Sequence, residues 1–377
     1  MKKITGILSA LVLALALLPT TVWAGGDVAM IGDNGYETLA EAVAAAKDGD
    51  TVVLQKDVTI GGYQEIRKAI TVDLGGNKLT STDGGFDVYA DLTVKNGRME
   101  TVTWAAWVQG GADLVIEKDV SIMTTSTEGK RGGIAVQKED SSVTVFGKVE
   151  AAGGAAISGI GNKDDGGVII NIEEGAVITC TNENGLGIYY PNTTELNIKG
   201  GTITGATGVY VKSGKTTVTG GTIIGTGVKA DYEYNSNGGN ATGDAFVVDT
   251  CGYPGGDPVV EIKGGTFKSE NAAAVGSYFG NTAEKALAGF ITGGSFSSDP
   301  TKYAAADYKV TTENGVFTVS KNVPNNNDNT PSTPSTPETF DAGIAAYGVS
   351  AVLSVTGMAW MGLKKKSTTY TGKRIEK

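Results

Sequence analysis

One phrase recurs along this chain with different flanks: ELNIKGGTIT at Glu195–Thr204, TTVTGGTIIG at Thr216–Gly225, VVEIKGGTFK at Val259–Lys268 and GFITGGSFSS at Gly289–Ser298. In each, a glycine pair lies between two apolar residues five positions apart: Ile198/Ile203, Val218/Ile223, Ile262/Phe267 and Ile291/Phe296. Side chains that share one face of a strand are an even number apart. An interval of five with both residues inward therefore requires a bend between them, and glycine accepts the positive φ that such bends use. The phrase reads as strand, corner, strand. Fainter copies run upstream as Ile172/Val177, Val115/Val120, Val94/Met99, Leu74/Leu79 and Val53/Val58, with Val145/Val149 one residue short.

A third apolar segment follows most copies: Trp107-Val108, Ile134–Val136, Ile157, Ile188, Val209–Val211, Phe246–Val248 and Ala273–Val275. Each unit thus holds three short strands and closes one coil. Coils of this length cannot bury an apolar face alone and must stack. The expected fold is all-β: a right-handed parallel β-helix. About ten coils at ~4.8 Å per strand step give a rod about 50 Å long. The wide gap between the corners at Gly221 and Gly265 contains only one third segment. It predicts a single coil with an insertion at about Thr226–Asp244.

Tyr36–Lys47 carries Leu39, Val43 and Ala46 at helical spacing, with Thr38 as N-cap and Glu41 three residues on. This predicts a short capping helix, followed by a turn at Asp48-Gly49-Asp50. Tyr308–Val319 reads as a hairpin turning at Asn314-Gly315, closing the far end.

The termini differ from the coils. Lys2 and Lys3 precede the apolar run Ile4–Leu18, and Val22-Trp23-Ala24 fits a cleavage site, so residues 1–24 are expected to be a signal peptide cut after Ala24. The competing reading, an N-terminal anchor, calls for a longer run. Residues 25–35 form a leader, and 36–320 the β-helix. Residues 321–341 are an Asn/Pro/Ser/Thr-rich spacer with no means of building a core. Residues 342–363 lack charge and are long enough to span a bilayer, and Lys364-Lys365-Lys366 opens a basic tail, 364–377, that belongs on the cytoplasmic side.

Spacer, motif, apolar span and basic tail in this order resemble a sortase-type sorting signal. The motif is Thr336-Pro337-Glu338-Thr339-Phe340, which shares the Pro-x-Thr core through Pro337 and Thr339 but has Phe340 where that family has glycine. The resemblance implies cleavage after Thr339 and linkage to peptidoglycan. Without it, the span is a membrane anchor. Either way the β-helix is expected outside the cell, on the surface of a Gram-positive bacterium.

The chain has 377 residues, a formal charge of −10, no histidine and two cysteines. The acidic balance without a basic stripe argues against nucleic acid as a partner. Without histidine there is no Ser-His-Asp or Cys-His catalysis and no imidazole-ligated metal. Cys180 and Cys251 fall two coils apart on different faces, too far for a disulfide, which needs Cα atoms within about 7 Å.

The segment Gly35–Ser320 resembles the pectate-lyase-like β-helix superfamily through its cap, Asp48-Gly49-Asp50-Thr51-Val52, and its coils. That resemblance implies a carbohydrate-active enzyme, a lyase or hydrolase, as one function. Such enzymes need clustered carboxylates, with calcium and an arginine or lysine base in the lyases. The coils hold only Arg67, Arg98 and Arg131 as arginines, and one adjacent aspartate pair, Asp164-Asp165. The pair is either a Ca²⁺ site or a solvated turn. The chain is also similar to uncharacterised surface β-helix proteins of Gram-positive gut bacteria, on Gly187–Pro191, Gly205–Lys212, Gly243–Asp249, Gly252–Gly256 and Gly293–Pro300. This second resemblance implies an adhesin-like or display role rather than a reaction.

The candidate ligand-binding residues are Tyr232, Tyr234 and Asn235 in the insertion, Tyr253 in the same coil, and Tyr189 and Tyr190 two coils earlier. Aromatic faces with amides on a scaffolded loop suit sugar rings. Trp104 and Trp107, three apart, are expected to pack in the core or at its edge.

Overall fold

A computed structural model describes residues 26–160, 166–229, 240–280, 282–283, 285 and 287–322. The chain divides into two units, Met1–Val323 and Pro324–Lys377, and all described residues lie in the first. The expected signal cleavage at Ala24, the motif residues Pro337 and Thr339, the apolar stretch 342–363, Asp164 and Asp165, and Tyr232, Tyr234 and Asn235 lie outside the described residues. Among those described, no helix is long and apolar enough to cross a membrane.

The architecture is a parallel β-helix of three sheets. Sheet A runs from Thr51–Leu54 to Val259–Ile262, sheet B from Val58–Ile60 to Gly294–Phe296, and sheet C from Gln64–Ile66 to Val275–Tyr278. Each coil contributes one strand to each sheet. Coils are counted from Thr51, and the nine strands of sheet C mark nine complete coils. A partial tenth follows, with Ile291 bridging to Ile262 and Gly294–Phe296 pairing beside Thr266–Asn271.

The core is a set of vertical stacks. In sheet A, register aligns Val52, Val72, Val94, Ile116, Val145, Ile172, Ile198, Val218 and Ile262. All are buried. β-Branched side chains suit this role because they pack well on a pleated surface with few rotamers to lose. Sheet B stacks Leu79, Met99, Ile122, Val149, Ile178, Ile203, Ile223, Phe267 and Phe296 opposite them.

These stacks refine the five-residue interval. It holds at Leu74/Leu79, at Val94/Met99 and in the four coils that define the phrase, with both residues of each pair buried. Elsewhere the corner changes length. Ile178, not Val177, faces inward, and Val177 is exposed. Likewise Ile116 and Leu54 are buried where Val115 and Val53 point outward. Three of the faint pairs were thus one residue out of phase, because alternation was read through a corner of variable length.

In the defining coils the second glycine of each pair has positive φ: 76° at Gly201, 84° at Gly221, 98° at Gly265 and 108° at Gly294. The ladder continues through the bend, with Thr222 N donating to Gly201 O and Thr266 N to Gly221 O, each at 2.8 Å.

Coil eight comprises Lys215–Val218, Thr222–Val228 and Phe246–Asp249. Thr222–Val228 pairs directly with the next coil's Thr266–Asn271, and Phe246–Asp249 with Val275–Tyr278, so the Gly221–Gly265 gap is one coil with an insertion.

The helix Leu39–Ala45 has the expected capping box, with Glu41 N donating to Thr38 Oγ1 and Thr38 N to Glu41 Oε2. It buries Leu39, Ala42 and Val43 in the main core. The leader is not featureless. Ala29–Ile31 and Asn34–Tyr36 form an antiparallel hairpin that pairs with Thr51–Leu54 and extends sheet A. At the far end Tyr308–Glu313 and Val316–Lys321 turn through Asn314 (φ 50°) and Gly315 (φ 79°), and pair with Gly294–Phe296. The two hairpins cover one end of sheet A and the opposite end of sheet B, protecting edges that would otherwise recruit other strands.

Both cysteines are free and buried. Cys180 Sγ donates to Gly153 O at 3.1 Å. Burial is the main cause that raises both thiol pKa values, and Asp249 adds to it at Cys251. The folded protein should therefore react negligibly with a thiol reagent at neutral pH, and with two equivalents after denaturation. A denatured chain with no titratable thiol would contradict the coil assignment.

Candidate functional site

Outward residues of a β-helix usually meet solvent. Sheet C breaks this rule from coil four to coil eight, beginning with the outward Ala135, 0% exposed, and Ser158, 7% exposed. Register aligns Ser158, Tyr189, Tyr210, Val247 and Gly276 in one outward row. Tyr210 and Val247 are fully buried, and with Ala155 and Leu186 they make a second apolar cluster separate from the main core, against which Tyr189 and Tyr278 pack. The Tyr189 and Tyr210 rings lie 6.2 Å apart.

Charged groups sit within this cover. Lys212 is 1% and Asp249 0% exposed. Buried charge is costly unless it is partnered. Tyr210 Oη donates to Asp249 Oδ2 at 2.7 Å. Tyr278 Oη donates to Asp244 Oδ2 at 2.7 Å, and Ala273 N to Asp244 Oδ1 at 2.8 Å. Lys212 Nζ lies 5.1 Å from the centre of the Tyr253 ring, a cation–π contact.

Two buried polar atoms in the same region have no hydrogen-bond partner, Asn192 Oδ1 and Ser213 Oγ, and the buried Tyr189 hydroxyl faces that of Tyr253. Asn192 and Ser213 lie just past the sheet C strands of adjacent coils, two residues after Tyr190 and Val211, which pair directly. The loop after Phe246–Asp249 folds against them. A Cβ on Gly255 would fall 2.4 Å from Ser213 Oγ and 3.0 Å from Thr193 Cγ2. This close approach carries Tyr253, on the same loop, toward Lys212 and Tyr189. Burial pushes the Tyr189 phenol well up, and nearby Tyr253, Cys251 and Asp249 push it further. Burial likewise raises Tyr253. Both phenols stay neutral at physiological pH, able to donate or accept hydrogen bonds.

Of the residues expected to bind ligand, Tyr189 and Tyr253 meet at this patch, half-buried. Tyr190 does not. Its side chain points into the main core, 0% exposed, with its hydroxyl donating to Val168 O at 2.7 Å. Adjacent strand residues face opposite sides, so Tyr189 and Tyr190 cannot serve one surface.

Tyr210, Lys212, Asp249, Asn192 and Ser213 were missed. One signal could have found several of them. Thr207–Val211 and Phe246–Asp249 are buried at every position. Their sequences, TGVYV and FVVD, lack apolar–polar alternation, the pattern of a strand covered on both faces.

Among the described residues no three acids or cysteines gather as a metal would require. Arg131 pairs with Glu128 at 3.5 Å, and Arg67 with Glu65 at 2.8 Å. No protein-family model, no curated protein and no solved structure matches this chain in comparison.

Proposed function

We propose that this chain is a non-catalytic β-helix displayed on the outside of a Gram-positive cell, and that it binds glycans at the patch between Tyr189, Lys212 and Tyr253. The observation that carries the reading is the pair of unpartnered buried polar atoms, Asn192 Oδ1 and Ser213 Oγ, beside two half-buried tyrosines whose hydroxyls face each other. Buried polar groups are normally paired, so an unpaired group calls for an explanation. A sugar supplies what the patch lacks, because its hydroxyls both donate and accept and its apolar ring face stacks on a phenol.

The terminal segments support the address: an apolar leader behind two lysines, then a spacer, a Pro-x-Thr motif, an apolar stretch and a basic tail. Under this reading, protease treatment of intact cells releases β-helix fragments, and Thr339 is either joined to peptidoglycan or left in a membrane-anchored chain.

The test is a glycan array probed with the purified full-length protein, with parallel assays for unsaturated and reducing sugars. Selective binding without sugar release is expected. Release of either product would contradict the non-catalytic reading. Failure to bind any glycan would contradict the binding site and leave the orphaned atoms to ordered water.

A further inference from the structure

We propose that the outer face of sheet C in coils one to four is a second site, which holds a flat, neutral, β-(1→4)-linked pyranose chain laid along the coil axis. The proposal shares its ligand class with the reading above, but its residues lie at the opposite end of sheet C. Register stacks Glu65, Asp87, Trp107 and Ala135 in one outward row. Two residues on in each strand, Arg67, Tyr89, Gln109 and Gln137 make a parallel row.

The second row is wired together and to the first. Gln137 Nε2 donates to Gln109 Oε1 at 2.9 Å, and Gln109 Nε2 to Asp87 Oδ1 at 2.6 Å. Tyr89 Oη donates to Asp87 Oδ2 at 3.1 Å. The Arg67 guanidinium lies 4.3 Å over the Tyr89 ring, and its Nε donates to Glu65 Oε2 at 2.8 Å. Trp107 is held edge-on by the buried Trp104, with ring centres 5.9 Å apart at 88°. Groups locked this way lose little freedom on binding, which favours affinity.

Three features select the occupant. Successive coils are ~4.8 Å apart, comparable to one pyranose ring in an extended chain, so each coil offers one planar amide, carboxylate or ring per sugar. The two rows run in register from coil to coil along the axis, which fits an extended, ribbon-like β-(1→4) chain better than a helical one. Glu65 and Asp87 outnumber Arg67, which Glu65 already neutralises, so a polyuronate is repelled.

The test is calorimetric titration of the full-length protein with cellohexaose and, separately, hexagalacturonate. Cellohexaose should bind and hexagalacturonate should not. Trp107→Ala and Gln109→Ala should each weaken cellohexaose at least about tenfold, the equivalent of one lost stacking contact or hydrogen bond. Glu261→Ala, on the outer face of sheet A away from both patches, should leave it unchanged, and Tyr253→Ala reports whether the ligand sits at the other patch instead. Gln137→Ala, at the coil-four end of the ladder, serves as a milder variant should either truncation fail to fold, and should also weaken binding. Absence of cellohexaose binding, indifference to all three substitutions, or equal binding of hexagalacturonate would overturn the proposal. Loss with Tyr253→Ala alone would move the ligand to the other patch, overturning this site while leaving the glycan reading in place.

Discussion

Gly221→Ala is expected to destabilise the β-helix far more than Gly175→Ala, although both glycines have a φ of 84°. The left-handed backbone costs any non-glycine residue about 1–2 kcal/mol, and this part is common to both. The surroundings differ. A Cβ at Gly175 meets nothing within 4 Å, whereas at Gly221 it falls 2.5 Å from Gly200 O and 3.0 Å from Gly201 O. The Gly201 carbonyl cannot swing away freely, because it accepts from Thr222 N, and the Gly221 peptide itself is tied to the next coil, where Thr266 N donates to Gly221 O. Relieving the overlap means shifting three stacked corners, a further ~1–3 kcal/mol by comparison with overpacked cores. Total losses of about 1–2 kcal/mol for Gly175→Ala and ~2–5 kcal/mol for Gly221→Ala follow. The second is a large share of the 5–15 kcal/mol typical of a folded domain. Urea or thermal unfolding of the two variants beside the parent chain reads the difference directly. Equal losses would mean that the corner glycines serve only their φ and not the approach of successive coils.

Phe267→Ala should rank with it. Phe267 is fully buried between two rings: Phe246 at 6.0 Å, edge-on, and Phe296 at 4.9 Å, stacked at 9°. Removing such a ring costs about 3–5 kcal/mol, depending on how far the cavity collapses. The damage should be local. Stacked coils contact only their neighbours, so stability is nearly a sum over coils and interfaces. Phe296 pairs with Phe317 of the terminal hairpin, and a loosened Phe296 should release that hairpin. Amide exchange in Phe267→Ala is therefore expected to accelerate over Gly294–Phe296 and Val316–Lys321, with coils one to four unchanged. Uniform acceleration along the whole chain would contradict this nearest-neighbour picture. Phe267→Leu keeps most of the volume and should cost much less.

The coils were legible because a glycine corner repeats in a fixed relation to apolar residues. Ile198, Val218, Ile262 and their partners five residues on can be placed inside without a structure. The reading slipped at Val177, Val115 and Val53, where the corner changes length and a one-residue error reverses every side chain. The hairpin Ala29–Tyr36 was overlooked because strands of three residues are too short to show a period, although Gly32, at φ 56°, marks its two-residue turn.

The patch was legible only in part. Tyr189 and Tyr253 stood out as aromatics beside loops. Tyr190 was grouped with Tyr189 by adjacency, where strand geometry sends the two apart. Lys212 and Ser213 gave no local signal of their own, because their burial depends on a loop that returns from a later coil. The Arg67–Gln137 strip was invisible for a related reason: its members are 20 or more residues apart in sequence and become neighbours only through stacking.

The central claim is that the patch around Tyr189 and Tyr253 recognises a sugar. Its most direct test is calorimetric titration of the best array ligand into the parent protein and into Tyr253→Ala. Loss of the half-buried ring and its contact with Lys212 should weaken binding by about tenfold or more, the equivalent of ~1.4 kcal/mol. The melting temperature should fall by only a few degrees, because Lys212 loses one ring contact but Tyr253 lies on a loop outside both apolar clusters. Undiminished affinity in a folded Tyr253→Ala protein would contradict the assignment.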